Sequence, residues 1–245
     1  MPILTDTLTT ADGSCRLTLA VPDGPGPWPG VVMYPDAGGA RETFTQMAAH
    51  LAGFGYVVLV PDVYYRRDWA PFDMATAFTD PTERARIFGL MRSVTPQRMA
   101  ADAAAFFDYL AGRPEVAGQP FGVCGYCMGG RTALVVAGRL GEWVAAAASF
   151  HGGGLATDAA DSPHRAAPDI RAAVYVAGAQ GDASFTAAQA RQLEEALSAA
   201  GVEHTVEIYP AAHGFAVPDN PPYDPQAAER HWAALREFFA ARLGG

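Results

Sequence analysis

The sequence predicts a three-layer α/β fold, in which a mostly parallel, doubly wound sheet is flanked by helices on both faces. Three observations predict it. Short, unbroken apolar runs recur along the chain, the mark of strands buried on both faces. Segments with helical periodicity separate them, as crossovers between parallel strands require. The 245 residues suffice for one large core, and no repeat or composition break divides them, so one domain spanning 1–245 is expected.

In chain order, residues 15–21 alternate apolar and polar and read as an early edge strand. Residues 23–29 are rich in Gly and Pro and form a turn. Residues 30–35 are a central strand, and 36–39 are the loop beyond its carboxyl end. A helix follows with Phe44, Met47, Ala48 and Leu51 on one face. Residues 56–60 are the next buried strand, closed by Pro61 and Asp62. The segment 62–95 mixes aromatic and charged residues with weak periodicity; such segments lie over the top of a sheet and shape a pocket.

Thr95 and Pro96 open a helix, as cap and first-turn proline, with Met99, Ala103, Phe106, Phe107 and Leu110 inward. A strand, a sharp turn and a helix come next, around Cys127. Residues 143–150 form another buried strand, ending at His151 and three glycines. Residues 155–169 read as loop and 171–177 as strand. Thr186 to Gln189 is a capping box opening a helix with Ala190, Leu193 and Leu197 inward. Residues 202–209 are the last strand. Asp224 and Pro225 start the final helix, with Ala228, Trp232, Leu235 and Phe239 on one side.

Composition narrows the function. The net charge of −9 argues against nucleic acid and anionic membrane surfaces as partners. All 17 basic residues are arginine, which excludes a lysine Schiff base or a Ser-Lys pair. The apolar runs are too short for a membrane span, and the N-terminus lacks a signal-peptide pattern. With only three cysteines and no disulfide framework, a cytoplasmic protein is expected. No His-Glu-x-x-His and no metal-ligand spacing occurs, so no metal or cofactor is expected.

The chemistry centres on Gly125-Tyr126-Cys127-Met128-Gly129, a Gly-x-Cys-x-Gly turn between strand and helix. A nucleophile on such an elbow sits on strained backbone, and Gly125 and Gly129 remove side chains that would collide. The helix N-terminus favours a thiolate and, later, an oxyanion. Three other readings compete. Cys124 and Cys127 form a Cys-x-x-Cys, which suggests a thiol redox protein, but Cys124 falls inside the strand. Residues 125–132 fit a phosphate loop only with Arg131 in place of its lysine. The third is a tight turn around an inert, buried cysteine.

In a doubly wound sheet, function sits beyond the carboxyl ends of the strands. That selects Asp36, Asp62, Cys127, His151, Asp182 and His213. The order Cys127, Asp182, His213 is the nucleophile–acid–base order of α/β-hydrolases, and one strand–helix unit separates each pair. Backbone N–H groups of Ala37 and Met128 are the expected oxyanion donors. His151 is a pocket candidate; His50, His164, His204 and His231 read as surface or capping residues.

With these residues the sequence resembles the dienelactone hydrolase family. The resemblance rests on Gly125 to Gly130, on Gly55-Tyr56-Val57-Val58 through Pro61-Asp62-Val63-Tyr64, on Asp182, and on His213-Gly214-Phe215. The cysteine elbow is fairly specific to the family; the rest is shared with many serine relatives. The resemblance implies attack of Cys127 on a small enol-lactone, assisted by His213 and oriented by Asp182, through a thioacyl-enzyme. A broad carboxylesterase or thioesterase is the alternative. The family's glutamate that helps ionise the thiol is matched here by Asp36. Its carboxylate-binding arginine beyond the His-x-Phe motif is matched by Val217. Arg84 or Arg86 is then the candidate to hold a substrate carboxylate, with Tyr64 and Tyr126 as further pocket residues. The substrate is either an anion held by one arginine or neutral and more apolar, its pocket built from Tyr34, Tyr64, Trp69, Phe72, Phe78 and Phe88. A monomer or homodimer is expected.

Overall fold

A computed structural model of the protein describes residues 1–244. The chain opens with two antiparallel strands, β1 (Ile3–Thr10) and β2 (Gly13–Ala20). Then come β3 (Gly30–Tyr34), α1 (Glu42–Ala52), β4 (Val57–Pro61), α2 (Pro81–Met91) and α3 (Pro96–Ala111). The elbow unit is β5 (Phe121–Tyr126) and α4 (Met128–Arg139). The rest is β6 (Val144–Phe150), β7 (Ala173–Ala179), α5 (Ala187–Ala199), β8 (His204–Tyr209) and α6 (Pro225–Leu243). The eight strands lie in the order β1-β2-β4-β3-β5-β6-β7-β8. Pairs from β4 through β8 are parallel; β1 and β2 join antiparallel.

The pleat divides each central strand between two cores. Val32, Val123, Ala147 and Val176 face α3, α4 and α5, meeting Phe106, Leu134 and Leu193. Their neighbours Met33, Cys124, Ala148 and Ala177 face α1 and α6, meeting Phe44, Leu51, Leu235 and Phe239. A smaller cluster sits above the carboxyl ends: Tyr64, Phe72, Met74, Ile87 and Leu90 pack on Ala37 and Met128. It is the underside of the 62–95 segment, which therefore roofs the end of β5.

Capping matches the sequence signals. Thr186 and Gln189 form a reciprocal capping box at α5. Thr95 accepts from the Arg98 N–H at α3, and Asp224 from Gln226 and Ala227 at α6. Three expectations are corrected. The sheet edge is β1, not residues 15–21, which form the second strand. Within 62–95 lies α2, whose N-cap Asp80 accepts from Thr82 and Glu83. The expected loop 155–169 contains a 3-10 helix, Pro163–Asp169.

Candidate active site

β5 delivers Cys127 onto a backbone of φ 53° and ψ −113°, the N-cap position of α4. For a residue with a side chain this region is strained. Packing enforces it. A Cβ on Gly125 would overlap the Gly129 carbonyl, and a Cβ on Gly129 would overlap the Tyr34 carbonyl. A Cβ on Gly130 would lie 2.5 Å from the Ser149 hydroxyl oxygen. Three closely packed glycines thus let α4 approach β3, β5 and β6, and the turn lifts the thiol off the sheet. The Cys127 N–H donates to the Phe150 carbonyl at 3.1 Å, which fixes the turn to β6.

Loops after β7 and β8 bring the acid and the imidazole. His213 Nδ1–H donates to Asp182 Oδ2 at 2.6 Å. Asp182 Oδ1 accepts from the Ser184 N–H and hydroxyl, each at 2.7 Å. Ser184, unnoticed in the sequence, therefore fixes the carboxylate through a short Asp-initiated turn. Burial disfavours charge on His213, but the bond to Asp182 and the Cys127 side chain outweigh it and raise its pKa to about 10. Burial works against the Asp182 carboxylate too, yet His213 and Ser184 hold its pKa down to about 2. At neutral pH this is an imidazolium beside the sulfur.

Cys127, His213, Ser184, Asp36, Ala37 and Met128 line one cavity of about 690 Å³. As the first residue of α4, Met128 has an N–H with no acceptor inside the helix. Ala37 is held from behind by the Tyr64 hydroxyl, which donates to its carbonyl at 2.9 Å. Asp36 is buried and saturated with donors. Its Oδ1 accepts from the Gly38 N–H at 2.9 Å and Arg41 at 2.6 Å; its Oδ2 accepts from Arg41 and Asn220, each at 3.1 Å. The other edge of Arg41 grips Asp219 with two bonds of 2.7 Å.

Several expected pocket residues lie elsewhere. Tyr64 is fully buried beneath the Ala37 loop. Tyr126 is buried on the α6 side, its hydroxyl 3.1 Å from His231 Nε2. Arg84 is exposed. Arg86 is taken up by Glu83 at 2.6 Å, the Ala70 carbonyl at 2.7 Å and the Phe72 ring. None of them lines the cavity. His151 stands behind the site with φ 39°, its ring edge-on to His213 at 5.2 Å between centroids. Both its ring nitrogens are buried without a partner, and burial drives its pKa down, so it packs as a neutral ring. Asp62 accepts from Trp69 at 3.1 Å, away from the cavity. Neither His164 nor His231 is a surface residue; both are buried. Val217 is fully buried in the α1/α6 core. Cys124 points into that same core on the opposite face from α4, and burial pushes its thiol well up, which leaves Cys127 without a redox partner. Among the described residues no acidic, His or Cys cluster has metal-site spacing, and no helix is long and apolar enough to cross a membrane.

The family model for the dienelactone hydrolase family matches residues 16–243, and the chain belongs to that family of ester- and lactone-cleaving hydrolases. A carboxymethylenebutenolidase of Pseudomonas sp. strain P51 is 29% identical over 81% of this chain and 79% of its own. A Synechocystis protein provisionally given the same activity is 28% identical over 92% of this chain and 91% of its own. The structure of a dienelactone-hydrolase-like promiscuous phosphotriesterase from metagenomic libraries superposes with a TM-score of 0.77, at 26% identity, covering 100% of both chains.

Proposed function

We propose that this chain hydrolyses esters or lactones through a thioacyl-enzyme on Cys127, with His213 as proton carrier and Asp182 as its orienting acid. One observation carries the reading: the thiol of a strained elbow shares a cavity with an imidazole that is bonded to a buried carboxylate. The Cys127 thiolate attacks the substrate carbonyl carbon, and the carbonyl oxygen becomes an oxyanion facing the Ala37 and Met128 N–H groups. The tetrahedral intermediate collapses, the carbon–oxygen bond breaks, and the leaving oxygen takes a proton from His213. Water then loses a proton to His213 and attacks the thioester, which releases the carboxylic acid and restores the thiolate. An enolate is a good leaving group, so an enol-lactone or activated ester suits a thiolate better than an alkyl ester does.

Asp36 takes a different role from the thiol-ionising carboxylate that the family resemblance implies. With four donors on its two oxygens it has no lone pair placed for a proton from Cys127, and it serves to hold the Ala37 loop. The test is turnover of a dienelactone and of an activated phenyl ester by wild type and Cys127→Ala. Turnover of either, abolished in the variant, is expected. Unchanged turnover in Cys127→Ala would sink the mechanism. Turnover of the phenyl ester alone would keep the thiol chemistry and discard the dienelactone.

A further inference from the structure

Building on the thiol-hydrolase reading, we infer that the site selects neutral substrates with a bulky apolar group, seated against α2 and its flanks. The wall there consists of Met74, Phe78, Phe88, Met91, Val94 and Met99, with no charged side chain among them. Four of the chain's seven methionines line the cavity, counting Met128. Unbranched thioethers make an apolar wall that adapts to different shapes. Phe78 and Phe88 are each 43% exposed and both line the cavity. A volume of about 690 Å³ belongs to drug-sized ligands, roughly 300–1,000 Å³, and far exceeds what a small lactone fills.

Three arginines around the cavity are engaged, and neither Arg84 nor Arg92 lines it. Arg41 is shared between Asp36 and Asp219. Arg131, which reaches the wall from the first turn of α4, donates to the Gly154 and Asp161 carbonyls and lies 3.6 Å from the Asp161 carboxylate. Arg86 is spent on Glu83, and the position beyond the His-x-Phe motif is the buried Val217. A substrate carboxylate in this arm loses water and gains no cation, which is costly. A methyl group in the same place loses nothing.

The test compares p-nitrophenyl hexanoate with the p-nitrophenyl monoester of adipic acid, which replaces the terminal methyl by a carboxylate at equal chain length. p-Nitrophenyl acetate supplies the short reference. The expected kcat/KM order is hexanoate above acetate, and hexanoate above the adipate monoester by at least about tenfold. Phe88→Ser should narrow the hexanoate-to-acetate ratio several-fold. Cys127→Ala gives a readout without turnover: hexanoate ester raises its Tm and the adipate ester does not. An adipate ester cleaved as fast as the hexanoate, with turnover dependent on Cys127, overturns the apolar assignment alone. Cleavage of all three esters that survives in Cys127→Ala, or is absent in folded wild type, overturns the thiol mechanism and this inference with it.

Discussion

Gly129 has almost no steric freedom. It lies two residues beyond the nucleophile, where a β-carbon would overlap the Tyr34 and Pro35 carbonyls of β3 and its loop. Those are backbone atoms at the end of β3 and the start of the loop that carries Ala37, so relief shifts that loop against α4, and with it the proposed oxyanion donors. Gly129→Ala should therefore cost about 1–3 kcal/mol in denaturant unfolding and lower kcat more than it raises KM. A native-like kcat would show that the Ala37 loop is not placed by this contact. The glycine spacing was legible in the sequence because steric exclusion acts through residue type alone. The Ser184 bonds to Asp182 were not, because a serine two residues after an aspartate is common in any turn. Nor was the occupation of Asp36: its chief partner, Arg41, lies five residues on, but its further partner Asn220, and the Asp219 that Arg41 also holds, are far along the chain, and no local pattern points to them.

Among the elements, those with strong periodicity and a cap were legible and those with weak burial were not. The α5 helix had both signals, and Thr186 does accept from the Gln189 N–H while Gln189 reaches back. Thr186→Ala should lower stability by about 1 kcal/mol with little change in kcat/KM, since the Thr186 side chain bonds only within the first turn of α5 and does not line the cavity. Loss of activity at unchanged stability would mean that α5 communicates with the Asp182 loop. Helix α2 carries a start signal like that of α6, an Asp-Pro pair at residues 80 and 81. It buries only Ile87 and Leu90 among its eleven residues, so no apolar stripe marks it. Its remaining large apolar side chains, Phe88 and Met91, line the cavity. Strand β1 escaped for a related reason: its residues are mostly exposed, and backbone pairing to β2 holds it in place.

At the scale of the whole molecule the sheet gathers three loops, from β5, β7 and β8, over one end. The order of these strands is the part of the site most legible in the sequence, because alternating strands and helices permit few topologies. The Asp182–His213 pair links this assembly to pH. His213 is raised to about 10 from 6.5, so its contribution to stability is complete below pH 6.5 and lost as pH rises through 10. Asp182 is lowered to about 2 from 3.8, so its contribution is complete above 3.8 and lost as pH falls through 2. These are two views of one pair and are not additive. The Tm difference between wild type and Asp182→Asn should thus be largest between pH 4 and 6.5, shrinking steadily toward pH 10. A difference that stayed flat to pH 10 would mean that the raised imidazole pKa does not depend on Asp182.

The grip of Arg41 on both Asp36 and Asp219 spans 178 residues of chain on its longer side. During synthesis the thiol-bearing elbow is complete long before residue 219 exists. Until then Arg41 has half its counter-charge, and the Ala37 loop lacks the Asn220 bond that tethers it from the far side. The site around Cys127 therefore depends on the last strand and the turn that follows it, which supply His213, Asp219 and Asn220.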